Sequence, residues 1–135
     1  MSSVLLDTNV AGFLLYGDPR LAAYLPDLQG ASRLFVSFQT VAEMLYGAEK
    51  DGWGPAKRAK LNRDLQRFRV ASYDREVGDA WAFVMAESER QGFKLEGRDA
   101  WVAAAAYQRR ITLLAHDTDF RGFKIPGLTV VCHVP

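Results

Sequence analysis

Two aspartates stand where an α/β protein usually presents the residues that bind a ligand. Asp7 directly follows the apolar run 4–6, and Asp117 comes after the apolar run 111–115. Both runs are typical of buried strands, and ligands bind beyond the carboxyl ends of the strands in an open α/β sheet. We therefore expect the two carboxylates to lie at one edge of a sheet.

A third aspartate, Asp99, begins a segment from 99 to 109 that is apolar on nearly all sides, as a buried helix is. On a helical wheel it shares a face with Val102, Ala103 and Ala106. A carboxylate on a packed face needs compensation, because burying an unpaired charge is costly. The helix N-terminus supplies part of it, and a bound cation would supply more.

Carboxylates that converge repel one another and raise each other's pKa, and a divalent cation removes that repulsion. Mg²⁺ and Mn²⁺ prefer oxygen ligands, and such an ion can clamp a phosphodiester and activate water against it. The sequence has no His or Cys cluster of a zinc enzyme, no Walker-type loop, no GxSxG elbow and no GxGxxG fingerprint. The acids therefore point to metal-assisted phosphodiester hydrolysis.

Each acid also has a simpler structural interpretation. Asp7 and Asp99 could be helix N-caps, and Asp117 and Asp119 could be turn residues. Convergence of several acids on one sheet edge is harder to explain in this way.

Short apolar runs alternate with helical patterns along the chain. Strands are predicted at 4–6, 34–36, 70–71, 111–115 and 128–132, and helices around 41–48, 74–91 and 99–109. The helix around 41–48 is expected to bury Val41, Met44, Leu45 and Ala48. This alternation predicts an α/β fold, a three-layer α/β/α sandwich around a mainly parallel sheet. Its 135 residues suit a single domain over 1–135.

Composition excludes several classes of protein. Lys plus Arg number 17 and Asp plus Glu 16, so the formal charge of +1 argues against a DNA-packaging protein. A single cysteine, Cys132, cannot form an intramolecular disulfide, which favours a reducing compartment. The first apolar run is too short for a signal peptide, and no run approaches the roughly 18 apolar residues of a membrane helix. We expect a soluble, cytoplasmic protein with no membrane partner.

Four segments, in this order, resemble the motifs of the PIN-domain family. They are Leu-Leu-Asp-Thr-Asn at 5–9, Thr-Val-Ala-Glu-Met-Leu-Tyr-Gly at 40–47, Arg-Asp-Ala-Trp-Val-Ala-Ala at 98–104 and Ala-His-Asp-Thr-Asp-Phe at 115–120. The resemblance spans essentially the whole chain. Chain length and motif order are similar to those of the VapC toxins of bacterial and archaeal toxin–antitoxin pairs.

The resemblance implies an α/β/α ribonuclease that uses Mg²⁺ or Mn²⁺ in an acidic pocket. The catalytic and metal-ligating acids of the family match Asp7, Glu43, Asp99 and Asp117. Three further residues match supporting positions: Thr8 and Asn9, which follow the first acid and orient it, and Asp119, a secondary acid. The resemblance also implies a homodimer and a VapB-type antitoxin partner whose C-terminal segment wraps the toxin.

Glu43 is selected by the resemblance alone. On the helical wheel it lies about 160° from the apolar stripe of its helix, and this position by itself favours a solvated surface residue. His116 could contact a substrate phosphate or be an ordinary loop histidine.

Six cations crowd the stretch 55–69, with only Asp64 opposing them: Lys57, Arg58, Lys60, Arg63, Arg67 and Arg69. Such a segment could follow the backbone of an RNA substrate, with Lys57, Arg58, Lys60 and Arg63 as possible contacts. A solvated helix face explains it equally well.

The sequence thus predicts a metal-dependent endoribonuclease, the toxin of a VapBC-type pair. Two alternatives stay open. One is a PIN nuclease in RNA maturation, without toxicity; the other is a non-catalytic PIN-like module that binds RNA or protein.

Overall fold

The apolar runs of the sequence form the strands of one sheet in a computed structural model that describes residues 2–93 and 95–135. The strands are β1 (Ser3–Leu6), β2 (Arg33–Ser37), β3 (Arg69–Ala71), β4 (Thr112–Ala115) and β5 (Val130–Cys132). Their order across the sheet is β3-β2-β1-β4-β5, and each neighbouring pair is parallel. All five predicted strands are therefore confirmed, although β5 begins at Val130 because Leu128 lies in a turn that closes on Ile125.

Helices connect the strands and cover both faces of the sheet. Within the described ranges they are α1 (Thr8–Tyr16), α2 (Leu25–Gln29), α3 (Phe38–Lys50), α4 (Pro55–Leu65), α5 (Arg75–Arg90) and α6 (Gly97–Arg109). Two short 3-10 segments, Pro19–Tyr24 and Thr118–Phe120, complete the connections. None of these helices is long and apolar enough to cross a membrane.

Alternate side chains of the central strands build two separate cores. Leu5 and Leu113 point to the face covered by α5 and α6, whereas Leu6 and Leu114 point to the face covered by α1 and α3. All four leucines are fully buried. Two cores on opposite faces of one sheet make the three-layer α/β/α sandwich that the sequence predicted.

Helix α6 explains the apolar run after Asp99. It lies between the sheet and α5, so its residues at 100 and 102–106 are buried. Asp99 is in the first turn of this helix, three residues after the N-cap Glu96. Interpreting Asp99 as the cap itself is therefore wrong.

The predicted apolar face of α3 is partly wrong. Ala48 is buried and Met44 packs against the core, but Leu45 is 43% exposed. The side chain of Leu45 lies beside α4 and lines a surface cavity of about 240 Å³ together with Arg58 and Leu61. At Leu45, the apolar spacing therefore indicates a surface between α3 and α4 rather than the core.

Candidate active site

The parallel sheet brings the ends of β1 and β4 side by side. Leu6 pairs with Leu114, and the Asp7 N–H donates to the Leu114 carbonyl at 3.0 Å. The first residues after both strands therefore share one edge of the sheet. A pocket of about 120 Å³ opens there, lined by Asp7, Thr8, Asn9, Glu43, Arg98, Asp99, Val102 and Asp117. Four acids that are far apart in sequence thus meet in one pocket.

Asp7 is both a helix cap and a residue of the pocket. It is only 6% exposed, and one carboxylate oxygen accepts from the Val10 N–H at 2.8 Å, which caps α1. The other oxygen accepts from the His116 N–H at 3.0 Å. Burial raises the pKa of Asp7 to about 6, against the opposing effect of these two hydrogen bonds. Asp7 therefore caps α1 and at the same time lines the acidic pocket.

Asp99, Asp117 and Asp119 form the tightest group of acids in the described part of the chain. One oxygen from each carboxylate lies within 4.8 Å of the others. Burial, followed by the negative charges of Asp117 and Asp119, raises the pKa of Asp99 to about 7. The charge of Asp117 also raises the pKa of Asp119. Asp117 is held by the Asp119 N–H, which donates to its Oδ1 at 2.8 Å.

Glu43 lines the pocket because α3 starts at the carboxyl end of β2, the strand next to β1. Its carboxylate is half-buried and accepts from the Thr8 hydroxyl at 3.3 Å. The polar side of α3 at this point therefore faces the pocket, and the half-exposed Glu43 is both a polar position on the helical wheel and a residue of the pocket.

The family resemblance implies that Thr8 and Asn9 orient Asp7, but the side chains of both residues make other contacts in the structure. Thr8 reaches Glu43 and Thr40, at 3.3 and 3.0 Å, and Asn9 donates to the His116 carbonyl at 2.9 Å. Backbone N–H groups, rather than these side chains, hold the carboxylate of Asp7. Asn9 instead fixes the loop that carries Asp117.

Tyr24 is a structural element of the site that the sequence did not reveal. Its fully buried hydroxyl donates to the Ala115 carbonyl at 2.6 Å, lies 2.8 Å from Nδ1 of His116, and accepts from the His133 N–H at 3.0 Å. His116 also packs edge-on against Phe13. The histidine is thus a packed loop residue whose backbone positions Asp7.

We expect Tyr24→Phe to lower the free energy of unfolding by about 1–3 kcal/mol, because buried backbone groups lose their partner. Urea denaturation at neutral pH measures this change. Tyr16→Phe, which removes an exposed hydroxyl from the end of α1, serves as the control and should have no effect. Equal stability of Tyr24→Phe and the wild type would contradict the assigned contacts.

The predicted RNA contacts of α4 do not line the acidic pocket. Lys57 lies over the ring of Trp53, Arg58 pairs with Glu49 at 2.6 Å, and Lys60 pairs with Asp64 at 2.7 Å. Contact of these residues and of Arg63 with RNA stays a prediction. In the part of the chain that the structure describes, Arg98 is the cation that lines the pocket.

The family model of the PIN domain matches residues 4–125. The chain belongs to the PIN-domain family. The family resemblance of the four motifs is thereby confirmed.

Several PIN-domain relatives match this chain over nearly their full lengths. The plasmid stability protein StbB of Pseudomonas syringae is 31% identical over an alignment of 137 positions. The alignment covers 95% of this chain and 96% of the relative. The tRNA(fMet)-specific endonuclease VapC of Salmonella typhimurium is 28% identical over 131 residues, 96% and 97% of the two chains. A crystal structure of DNA-bound VapBC from Salmonella typhimurium superposes with a TM-score of 0.75 at 26% identity, covering 98% of each chain.

The donor atoms of this PIN-domain pocket suit a hard cation. Every acidic side chain in it offers carboxylate oxygens, and two of them, Asp99 and Asp117, lie close enough to the carboxylate of Asp119, which is not a lining residue, for the three to share one ion. Burial first, and the neighbouring carboxylates second, raise the pKa values of Asp7 and Asp99, and a bound cation would oppose both effects. The residues therefore fit a metal ion.

Proposed function

We propose that this PIN domain is a Mg²⁺- or Mn²⁺-dependent endoribonuclease and the toxin of a VapBC-type toxin–antitoxin pair. The observation that carries the proposal is the convergence of Asp7, Glu43, Asp99 and Asp117 on one pocket at the carboxyl edge of the sheet. The endonuclease name of one relative supports the reaction, and the plasmid stability name of another supports the biological role.

In this proposal Asp7, Glu43, Asp99 and Asp117 hold the metal, directly or through water, and Asp119 supports Asp117. When bound, a divalent cation lowers the pKa of a coordinated water and neutralises charge on the phosphate. The half-buried pocket orients the carboxylates through backbone hydrogen bonds that exist before substrate arrives.

A pocket carboxylate accepts a proton from the attacking water, which adds in line to the scissile phosphorus. The bond between the phosphorus and the 3′ oxygen breaks on the opposite side, and the departing 3′ oxygen takes up a proton from water. The products therefore carry a 5′ phosphate and a 3′ hydroxyl. No 2′,3′-cyclic phosphate forms, because the 2′ hydroxyl is not the nucleophile.

We further propose a single domain over 1–135 that forms a homodimer in the cytoplasm and is neutralised by a VapB-type antitoxin. The solved VapBC relative supports such a partner. Exposed apolar side chains on α1 and α3, namely Tyr16, Leu45 and Tyr46, are available for protein contacts.

The decisive experiment incubates the purified protein with total cellular RNA in Mg²⁺ and sequences the product ends. We expect cleavage at particular sites, 5′-phosphate ends, and complete inhibition by EDTA. Cleavage that survives EDTA would contradict the metal-dependent mechanism. An absence of cleavage in both Mg²⁺ and Mn²⁺, in protein that binds RNA, would favour the non-catalytic module.

Induction of the protein in a bacterial host separates a toxin from a maturation nuclease. A toxin should arrest growth of the host after its expression is induced. The Asp7→Asn variant, expressed to the same level, should not arrest growth. Unchanged growth with an enzyme that is active in vitro would contradict the toxin role while leaving the nuclease intact.

A further inference from the structure

Among the described residues that line the acidic pocket, Arg98 carries the cationic side chain. It lies in the first turn of α6, directly before Asp99. Its side chain is 59% exposed, so the guanidinium reaches solvent at the pocket mouth. A positive group thus stands beside the acids at the place where a polyanionic substrate would enter.

The position of Arg98 is unfavourable for the helix itself. Cations stabilise the C-terminal end of a helix and oppose the dipole at the N-terminal end. Arg109, in the last turn of α6, follows this rule, whereas Arg98 breaks it. Local rules of this kind are most often broken at functional sites, and here the charge of Arg98 offsets the charges of Asp99 and Asp119.

The contacts of Arg98 leave most of its donors available. Its Nε lies 2.9 Å from Oε2 of Glu96, and both side chains are more than half exposed. An ion pair this exposed adds little stability, but it does restrict the direction of the guanidinium. Across the described ranges 2–93 and 95–135, neither Nη1 nor Nη2 donates to a protein acceptor. The Nη1/Nη2 edge of a guanidinium can bind a phosphate through two parallel hydrogen bonds.

We propose that Arg98 forms a phosphate subsite that binds the RNA backbone next to the cleaved bond, with Glu96 orienting the guanidinium. This inference rests on the proposed ribonuclease function. The carboxylates that attract a cation also repel RNA phosphates, and Arg98 offsets that repulsion on the substrate's side of the pocket. Because it contacts a phosphate, it adds affinity without selecting a base.

The test measures RNA binding in a background that cannot cleave. Asp117→Asn and Asp117→Asn/Arg98→Gln are compared by fluorescence anisotropy, in Mg²⁺, with a labelled single-stranded 12-nucleotide RNA of mixed sequence. We expect Arg98→Gln to weaken binding about 10-fold and to reduce the slope of log K against log salt by about 0.7, the value for one phosphate contact on a single strand. A purely structural role of Arg98 would not change this slope.

Arg33→Gln in the same background is the matched control, because it removes the same charge at the amino end of β2, the opposite edge of the sheet. It should leave both the affinity and the slope unchanged. An equal loss with Arg33→Gln, or an unchanged slope with Arg98→Gln, would overturn the subsite.

Mn²⁺ binding without RNA, measured by calorimetry, provides the second readout. With the phosphate subsite, Arg98→Gln leaves Mn²⁺ affinity unchanged or improves it, because a positive charge near the ligands is removed. Weaker Mn²⁺ binding would overturn the proposal and make Arg98 a support of the metal site. If the proposed ribonuclease function is wrong, the wild-type protein will leave total RNA intact. This result is distinct from any outcome of the Arg98 experiments.

Discussion

Asp99→Asn is expected to abolish RNA cleavage and, in the same molecule, to stabilise the metal-free protein. Removing one carboxylate from the pocket should lower the cleavage rate by about 10³-fold or more, since the proposed metal site loses one of its ligands. Stability should rise because burial and the charges of Asp117 and Asp119 disfavour the ionised form of Asp99. A neutral amide of the same shape avoids that cost.

Cleavage of RNA in Mg²⁺ and thermal unfolding in EDTA at pH 8 measure the two effects. After a discount for partial exposure, we expect a gain of about 2 kcal/mol, or roughly 5 °C in Tm. Asp79→Asn, which removes an exposed carboxylate from α5, is the control and should change neither property. Full activity of Asp99→Asn would refute its place in the site, and a lower Tm would refute the assigned repulsion.

The metal-free protein should become more stable as the pH falls from 8 towards 5. In the folded state the pKa of Asp7 is raised to about 6 and that of Asp99 to about 7, both from the ordinary value of 3.8. Between pH 3.8 and 7 the folded state therefore binds more protons than the unfolded state. The contribution of these two groups to the free energy of unfolding is fully present below the ordinary pKa. It is lost as the pH rises through the pKa values of the folded state.

A bound cation should reverse this trend. At 100 times its dissociation constant, a metal that binds only the folded state adds about 2.7 kcal/mol of stability. The increase in Tm on adding Mn²⁺ should be larger at pH 8 than at pH 5, because protons compete for the same oxygens. Thermal unfolding at pH 5 and at pH 8, each in EDTA and in Mn²⁺, measures this increase in Tm. An increase that is independent of pH, or one retained in Asp99→Asn, would place the ion elsewhere.

Strand-end position was enough to find Asp7 and Asp117, because parallel strands fix where their carboxyl ends lie. The apolar surroundings of Asp99 were also visible in the sequence, since a buried helix shows its character all round. Glu43 could not be found from periodicity. A helical wheel separates core from polar surroundings, but it does not separate open solvent from a polar pocket.

Other features depend on contacts between distant parts of the chain. The hydroxyl of Tyr24 bonds to the Ala115 carbonyl, 91 positions away, and no local pattern specifies that partner. Leu45 carries the correct helical spacing, yet it faces α4 rather than the core. The role of Asn9 was misassigned because its partner is the backbone of His116. Local spacing predicts elements and faces, but not pairings across the fold.

The hydrogen bond from His116 to Asp7 joins residues 109 positions apart and has a consequence during protein synthesis. A nascent chain leaves the ribosome with Asp7 early, but the segment that carries His116 and Asp117 emerges more than 100 residues later. A chain that stops before residue 116 therefore lacks both the backbone donor to Asp7 and the carboxylate of Asp117. The acidic pocket can assemble only after that segment has been translated.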